Sequence, residues 1–152
     1  SVIELVKKSG YPGMKILQFA FDSREESDYL PHNYTHNCVV YTGTHDNDTV
    51  MGWYDTLKGA DKKLCDDYLR LKNADGEPIP REQLPWEFVR AAMSSVADLA
   101  IIPMQDYLGL GSEARINIPS TLGINWKWRM GNGDFTKELA GRIRSMTKLY
   151  GR

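Results

Sequence analysis

Cys38-Val39-Val40-Tyr41-Thr42-Gly43-Thr44-His45-Asp46-Asn47-Asp48-Thr49 is the stretch whose reading decides the fold. Cys38 to Thr42 is a short β-branched and aromatic run, the composition of a buried strand. Gly43 then breaks the run, and Thr, His, Asp, Asn and Asp follow in immediate succession. An α/β enzyme builds its site in this way: the strand fixes the backbone, and residues just past its carboxyl end face the substrate. A solvated turn is the competing reading, because Asp, Asn and Gly are ordinary turn formers.

Outward from this stretch, residues 14–21 (Met-Lys-Ile-Leu-Gln-Phe-Ala-Phe) and 99–103 (Leu-Ala-Ile-Ile-Pro) read as two further strands. Both are mostly apolar rather than alternating, which favours burial on both faces. Helices are expected over residues 2–9, 50–57 and 60–71, in a segment opened by Pro85, and in a last segment capped by Asp134. The Pro85 helix would bury Phe88, Val89, Ala92, Met93 and Val96, and the last would align Phe135, Leu139, Ile143, Met146 and Tyr150. Short buried strands separated by helices imply a parallel sheet. A (β/α)8 barrel of ~250 residues spends about 31 on each unit, so this chain supplies about three βα units. The expected fold is α/β, with residues 14–21, 38–42 and 99–103 as adjacent parallel strands.

Whole-chain quantities exclude several functions. With 19 basic and 20 acidic residues the formal net charge is -1, so no basic field invites nucleic acid. No apolar run reaches membrane-spanning length and no signal peptide opens the sequence, so no membrane partner is expected. Cys38 and Cys65 lack metal-ligand spacing and read as reduced, buried residues of a cytoplasmic protein. The Gly109-Leu110-Gly111-Ser112 turn lacks the lysine of a phosphate loop and the spacing of a dinucleotide fingerprint. No cofactor is expected. His45, Asp46 and Asp48 would begin a metal-hydrolase site only if further ligands joined them, and His32 and His36 are the nearby candidates. Four Trp and eight Tyr suit sugar stacking, yet core packing explains aromatics as well. Trp53, Trp126 and Trp128 stay open between those two roles.

Longer motifs carry a resemblance. Residues 13–21, Leu30-Pro31-His32-Asn33-Tyr34, residues 39–49, Gly52-Trp53, residues 103–117 and Asn125-Trp126-Lys127-Trp128-Arg129 occur in this order. Together they resemble the C-terminal part of a 4-alpha-glucanotransferase, also called amylomaltase or disproportionating enzyme. The resemblance covers nearly the whole chain. It implies that residues 1–152 are a C-terminal segment of a (β/α)8 catalytic barrel, a TIM barrel, with its sixth, seventh and eighth strands present. It implies action on α-1,4-glucans and maltooligosaccharides by a retaining double displacement. Asp46, in His45-Asp46-Asn47, takes the place of the family's transition-state stabiliser. His45, Asn47 and Asn117 take the places of sugar-contacting residues, and no metal is implied.

The family's nucleophilic Asp and acid/base Glu belong to motifs upstream of this segment, and none of Asp22, Asp46, Asp48 or Asp106 matches either motif. A retaining mechanism needs two carboxyl groups about 5–5.5 Å apart, so the chain is expected to be a fragment, inactive alone. The alternative is a non-catalytic carbohydrate-binding or interaction module. Three strands of eight would leave open sheet edges and uncovered inward side chains, Ile16, Phe19, Val40 and Ile101 among them. Self-association, or a rearrangement of the strands that covers these surfaces, is the expected consequence.

Overall fold

In a computed structural model describing residues 2–152, the quoted stretch forms the central strand of a three-stranded parallel sheet. Strand β1 spans Gly13–Ile16, β2 Cys38–Tyr41 and β3 Leu99–Ile101, in spatial order β1-β2-β3. The register pairs Met14 with Val39 and Val39 with Leu99, and Ile16 with Tyr41 and Tyr41 with Ile101. All three strands therefore end together at one rim, the parallel arrangement expected from the sequence.

Among the described residues six α-helices surround or flank the sheet: α1 (Val2–Ser9), α2 (Val50–Tyr54), α3 (Gly59–Leu69), α4 (Leu84–Met93), α5 (Met104–Leu108) and α6 (Lys137–Leu149). Helix α4 is the central packing element. Phe88 is fully buried and meets the rings of Phe21, Trp53 and Tyr54 at centroid distances of 6.1, 5.8 and 6.3 Å. Trp53 is thereby partly buried against the core. Another side of α4 covers the sheet, where Ala92 joins Tyr34, Cys38, Val40 and Ala97. Its third side, Trp86, Val89 and Met93, receives Leu139, Ile143 and Met146 of α6 together with Tyr150 just past its end. Cys38 and Cys65 are free and buried, and burial pushes both thiols up.

Side chains alternate across a strand, so the two sheet faces separate cleanly. Cys38, Val40 and Ala100 point to the helices. Met14, Val39, Tyr41, Leu99 and Ile101 point the other way, and Met14, Leu99 and Ile101 remain 57, 56 and 47% exposed. Although Ile16, which shares that second face with Tyr41 and Ile101, is buried at 5% exposure rather than uncovered as expected, the face is largely open. Helix α1 is likewise uncovered, with Val2, Ile3, Leu5 and Val6 all exposed.

Several expectations need correction. Residues 17–21 do not extend β1: Leu17–Ala20 is a 3-10 turn, and Leu17, Ala20 and Phe21 enter the α2–α3–α4 core from it. A continuous apolar run is buried in either conformation, and periodicity cannot separate the two. Val40 faces the helices rather than the open side. Val96 lies beyond α4 and is 46% exposed. Helix α6 is capped by Thr136, whose hydroxyl accepts from the Leu139 amide at 3.1 Å, while Asp134 accepts from Gly131 N instead. Between β3 and the Gly109–Ser112 turn the chain forms the short helix α5, which starts as Pro103 ends the strand direction.

Candidate functional site at the strand ends

The loop from Thr42 to Thr49 connects β2 to α2 and is fixed by its own residues first. Asn47 Oδ1 accepts from the Thr44 amide at 2.9 Å and from Thr44 Oγ1 at 2.8 Å, and Asn47 N donates to Thr44 O at 3.1 Å. This side-chain-closed turn is the local preference of Asn and Thr, and it lifts His45 and Asp46 to the tip. Gln18 secures the loop from beneath, its Nε2 donating to Asp48 O at 2.8 Å. A Cβ at Gly43 would stand 2.5 Å from that nitrogen, so only glycine admits Gln18 here.

The segment after β3 holds the tip from the side. Asn117 Nδ2 donates to Asp46 Oδ1 at 2.6 Å, and Arg115 Nη2 donates to Asp46 O at 2.7 Å. Arg115 Nε in turn bonds Asn117 O at 2.8 Å. His45 Nε2 lies 3.4 Å from Asp46 Oδ1, and its ring meets that of Trp126 at a centroid distance of 5.0 Å. Trp126 has φ of +64°, a left-handed backbone that a bulky residue rarely adopts. Asn125 holds it there by bonding Ile118 N, Ile118 O and Thr121 O, with Trp126 N donating to Ile116 O at 2.8 Å. Trp128 lines an adjoining groove of about 380 Å3 with Arg115, Ile118 and Asn125.

Of the sequence candidates, the structure brings Asp46, His45 and Asn117 into one cluster at the strand ends. Asn47 sits beside them with its carboxamide oxygen committed to Thr44. Asp46 and His45 side chains are about half exposed, at 51 and 54%. The other loop carboxylates are engaged elsewhere. Asp48 accepts from Ser112 Oγ at 2.6 Å and from Thr49 N at 2.8 Å, and Asp106 is buried. Among the described residues no three His, Cys, Asp or Glu side chains gather into a metal-holding group. His32 instead contacts the Tyr68 hydroxyl at 3.0 Å. Arg115 escaped the sequence reading, which weighs Asp106 only as a possible catalytic carboxylate. Arg115 lies two residues before Asn117 in the same motif, which was its only sequence signal.

One accessible carboxylate, an imidazole and a carboxamide side by side can accept from and donate to vicinal hydroxyls. Such a cluster, delivered by parallel strands from their carboxyl-terminal loops, stands where α/β enzymes carry their substrate sites. The chain belongs to the 4-alpha-glucanotransferase family, whose sequence profile matches residues 1–134. It is 49% identical to the 4-alpha-glucanotransferase of Clostridium butyricum over 99% of its own length and 30% of that relative's. Against the chloroplastic/amyloplastic 4-alpha-glucanotransferase of Arabidopsis thaliana it is 46% identical, covering 26% of that protein. An amylomaltase of Streptococcus agalactiae, solved in complex with acarbose, superposes with a TM-score of 0.86 at 36% identity, over 99% of this chain and 29% of that one. The chain therefore spans less than a third of the length of these relatives.

Proposed function

We propose that this chain is the substrate-gripping C-terminal segment of a 4-alpha-glucanotransferase barrel, with β1, β2 and β3 as its sixth, seventh and eighth strands. On this reading the protein transfers α-1,4-glucan segments between maltooligosaccharides or to glucose, through a glycosyl-enzyme intermediate. Asp46 binds sugar hydroxyls more strongly as the ring flattens toward the oxocarbenium-like transition state. His45, Asn47 and Asn117 contact the same substrate. The observation that carries the reading is the Asp46 carboxylate, held by Asn117 yet half exposed where adjacent parallel strands end.

Asp46 supplies neither the bond-forming nucleophile nor the alternating acid and base. Those groups belong to the remainder of the catalytic domain, which would also cover the open sheet face at Met14, Leu99 and Ile101. The isolated chain accordingly self-associates through that face and transfers no glucose. Its two buried thiols suit a reducing compartment such as the cytoplasm.

The test is Asp46→Asn in the full-length protein that carries this segment, assayed by glucose release from maltotriose. The expected result is a kcat lower by about 10²–10³, because the lost charge acts in the transition state. Near-full turnover with collapsed maltooligosaccharide binding would make Asp46 a ground-state binder and sink the assigned role.

A further inference from the structure

The loop bearing Asp46 leaves β2 at Thr42 and enters α2 at Val50, and one side chain from beyond β3 touches both ends. Asp106, in α5, accepts from Thr42 Oγ1 at 2.5 Å through Oδ2 and from Val50 N at 2.8 Å through Oδ1. Asp106 is 1% exposed, and Thr42 and Val50 are fully buried. The contacts join residues 64 and 56 positions apart. All three residues are shielded from bulk solvent, so the separation of Thr42 from Val50 is set by the width of one carboxylate. A buried carboxylate with only two donors is costly to retain. Burial and the neighbouring Asp48 push its carboxyl up to about 6, against the opposing bonds from Thr42 and Val50. A residue serving the core alone would be cheaper as an apolar one.

We propose that Asp106 is a positioning residue for the glucan site: by clasping Thr42 and Val50 it sets the span of their loop, and so where Asp46 stands. This rests on the role proposed for Asp46. Misplacement of a catalytic group by about 1 Å costs roughly 10²-fold in rate. That is the scale of effect the clasp is expected to carry, and it falls on turnover rather than on substrate binding.

The experiment uses the full-length protein carrying this segment, with kcat and KM measured on maltotriose well below each variant's melting temperature. Asp106→Ala should lower kcat about 10²-fold with KM within about threefold. Asp106→Asn should recover at least about tenfold of that loss, since its carboxamide can accept from Val50 N and donate to Thr42 Oγ1. In an Asp46→Asn background, adding Asp106→Ala should slow the enzyme no further, because the two act as a unit. If Asp106→Ala does not fold, Thr42→Val removes one arm of the clasp with little change of shape, and a kcat loss of about tenfold is expected. A folded Asp106→Ala with full kcat, a full-speed Thr42→Val, or additive losses in the double variant would each overturn the positioning role. A slow Asp46→Asn beside a full-speed Asp106→Ala would sink this inference alone. A full-speed Asp46→Asn would sink the assigned role of Asp46 and this inference with it.

Discussion

Alanine in place of glycine should have opposite effects at two helical positions of this chain. In a helix interior the exchange ordinarily stabilises by about 0.5–1 kcal/mol, because glycine loses more backbone freedom on folding. Gly141 lies within α6 and a Cβ there would meet nothing within 4 Å, so the ordinary gain applies in full. Gly52 lies within α2, where a Cβ would stand 2.2 Å from Ser112 Oγ, 2.7 Å from Asp48 Oδ1 and 2.8 Å from Asp48 Cγ. Relief of these overlaps requires the Ser112–Asp48 hydrogen bond of 2.6 Å to break and the Asp48 carboxylate to retreat from Thr49 N. Overpacking costs about 1–3 kcal/mol and the loss of a bond to a charged acceptor about 1.5–3. Against the helix gain of about 1, Gly52→Ala should destabilise by about 1.5–5 kcal/mol. Urea unfolding followed by tryptophan fluorescence, at matched protein concentration, measures both variants. Ser112→Gly removes the nearest obstacle, so in that background Gly52→Ala should cost visibly less. A Gly52→Ala protein as stable as the parent, or a Gly141→Ala protein clearly weaker, would refute the steric reasoning.

The isolated chain should run above monomer mass in light scattering and release no glucose from maltotriose; Leu99→Lys on the open sheet face should lower the mass without lowering the melting temperature. Asp106 should make stability fall with rising pH: its folded carboxyl at about 6 exceeds the ordinary 3.8, so its contribution is complete below about 3.8 and lost as pH rises through about 6. A shift of about two units corresponds to about 3 kcal/mol, so the stability of Asp106→Asn relative to the parent should climb by up to that amount between about pH 4 and 6. A relative stability flat with pH in urea titrations would contradict this. Arg152 donates to Met93 O at 2.8 Å, Ala97 O at 2.6 Å and Ser95 O at 2.7 Å, tying the chain's end to the carbonyls that close α4. Arg152→Ala should cost about 1–3 kcal/mol in the same unfolding assay, and an unchanged midpoint would show the contacts to be idle.

The sequence by itself determined the elements whose period and punctuation agree. Strand β2 ends where Gly43 breaks its β-branched run, and α3, α4 and α6 carry their apolar stripes at helical spacing. The His45-Asp46-Asn47 and Asn117 motifs were legible because they are contiguous and their order along the chain is distinctive. Asn47's bond to Thr44 is likewise a local preference of those two residue types. Tertiary structure alone decided the rest. Leu17 to Ala20 is apolar enough for a strand, yet it forms a 3-10 turn whose Leu17 and Ala20 join the core cluster of Phe88 and Met51. Val40 and Ile101 are equally hydrophobic, yet register and the position of α4 send one into the core and leave the other half exposed. The clasp of Asp106 on Thr42 and Val50, the hold of Arg115 and Asn117 on Asp46, and the contact of Trp126 with His45 join residues from about 56 to 81 positions apart. Local propensity acts over a few residues, whereas these contacts exist only because parallel strands bring distant loops to one rim.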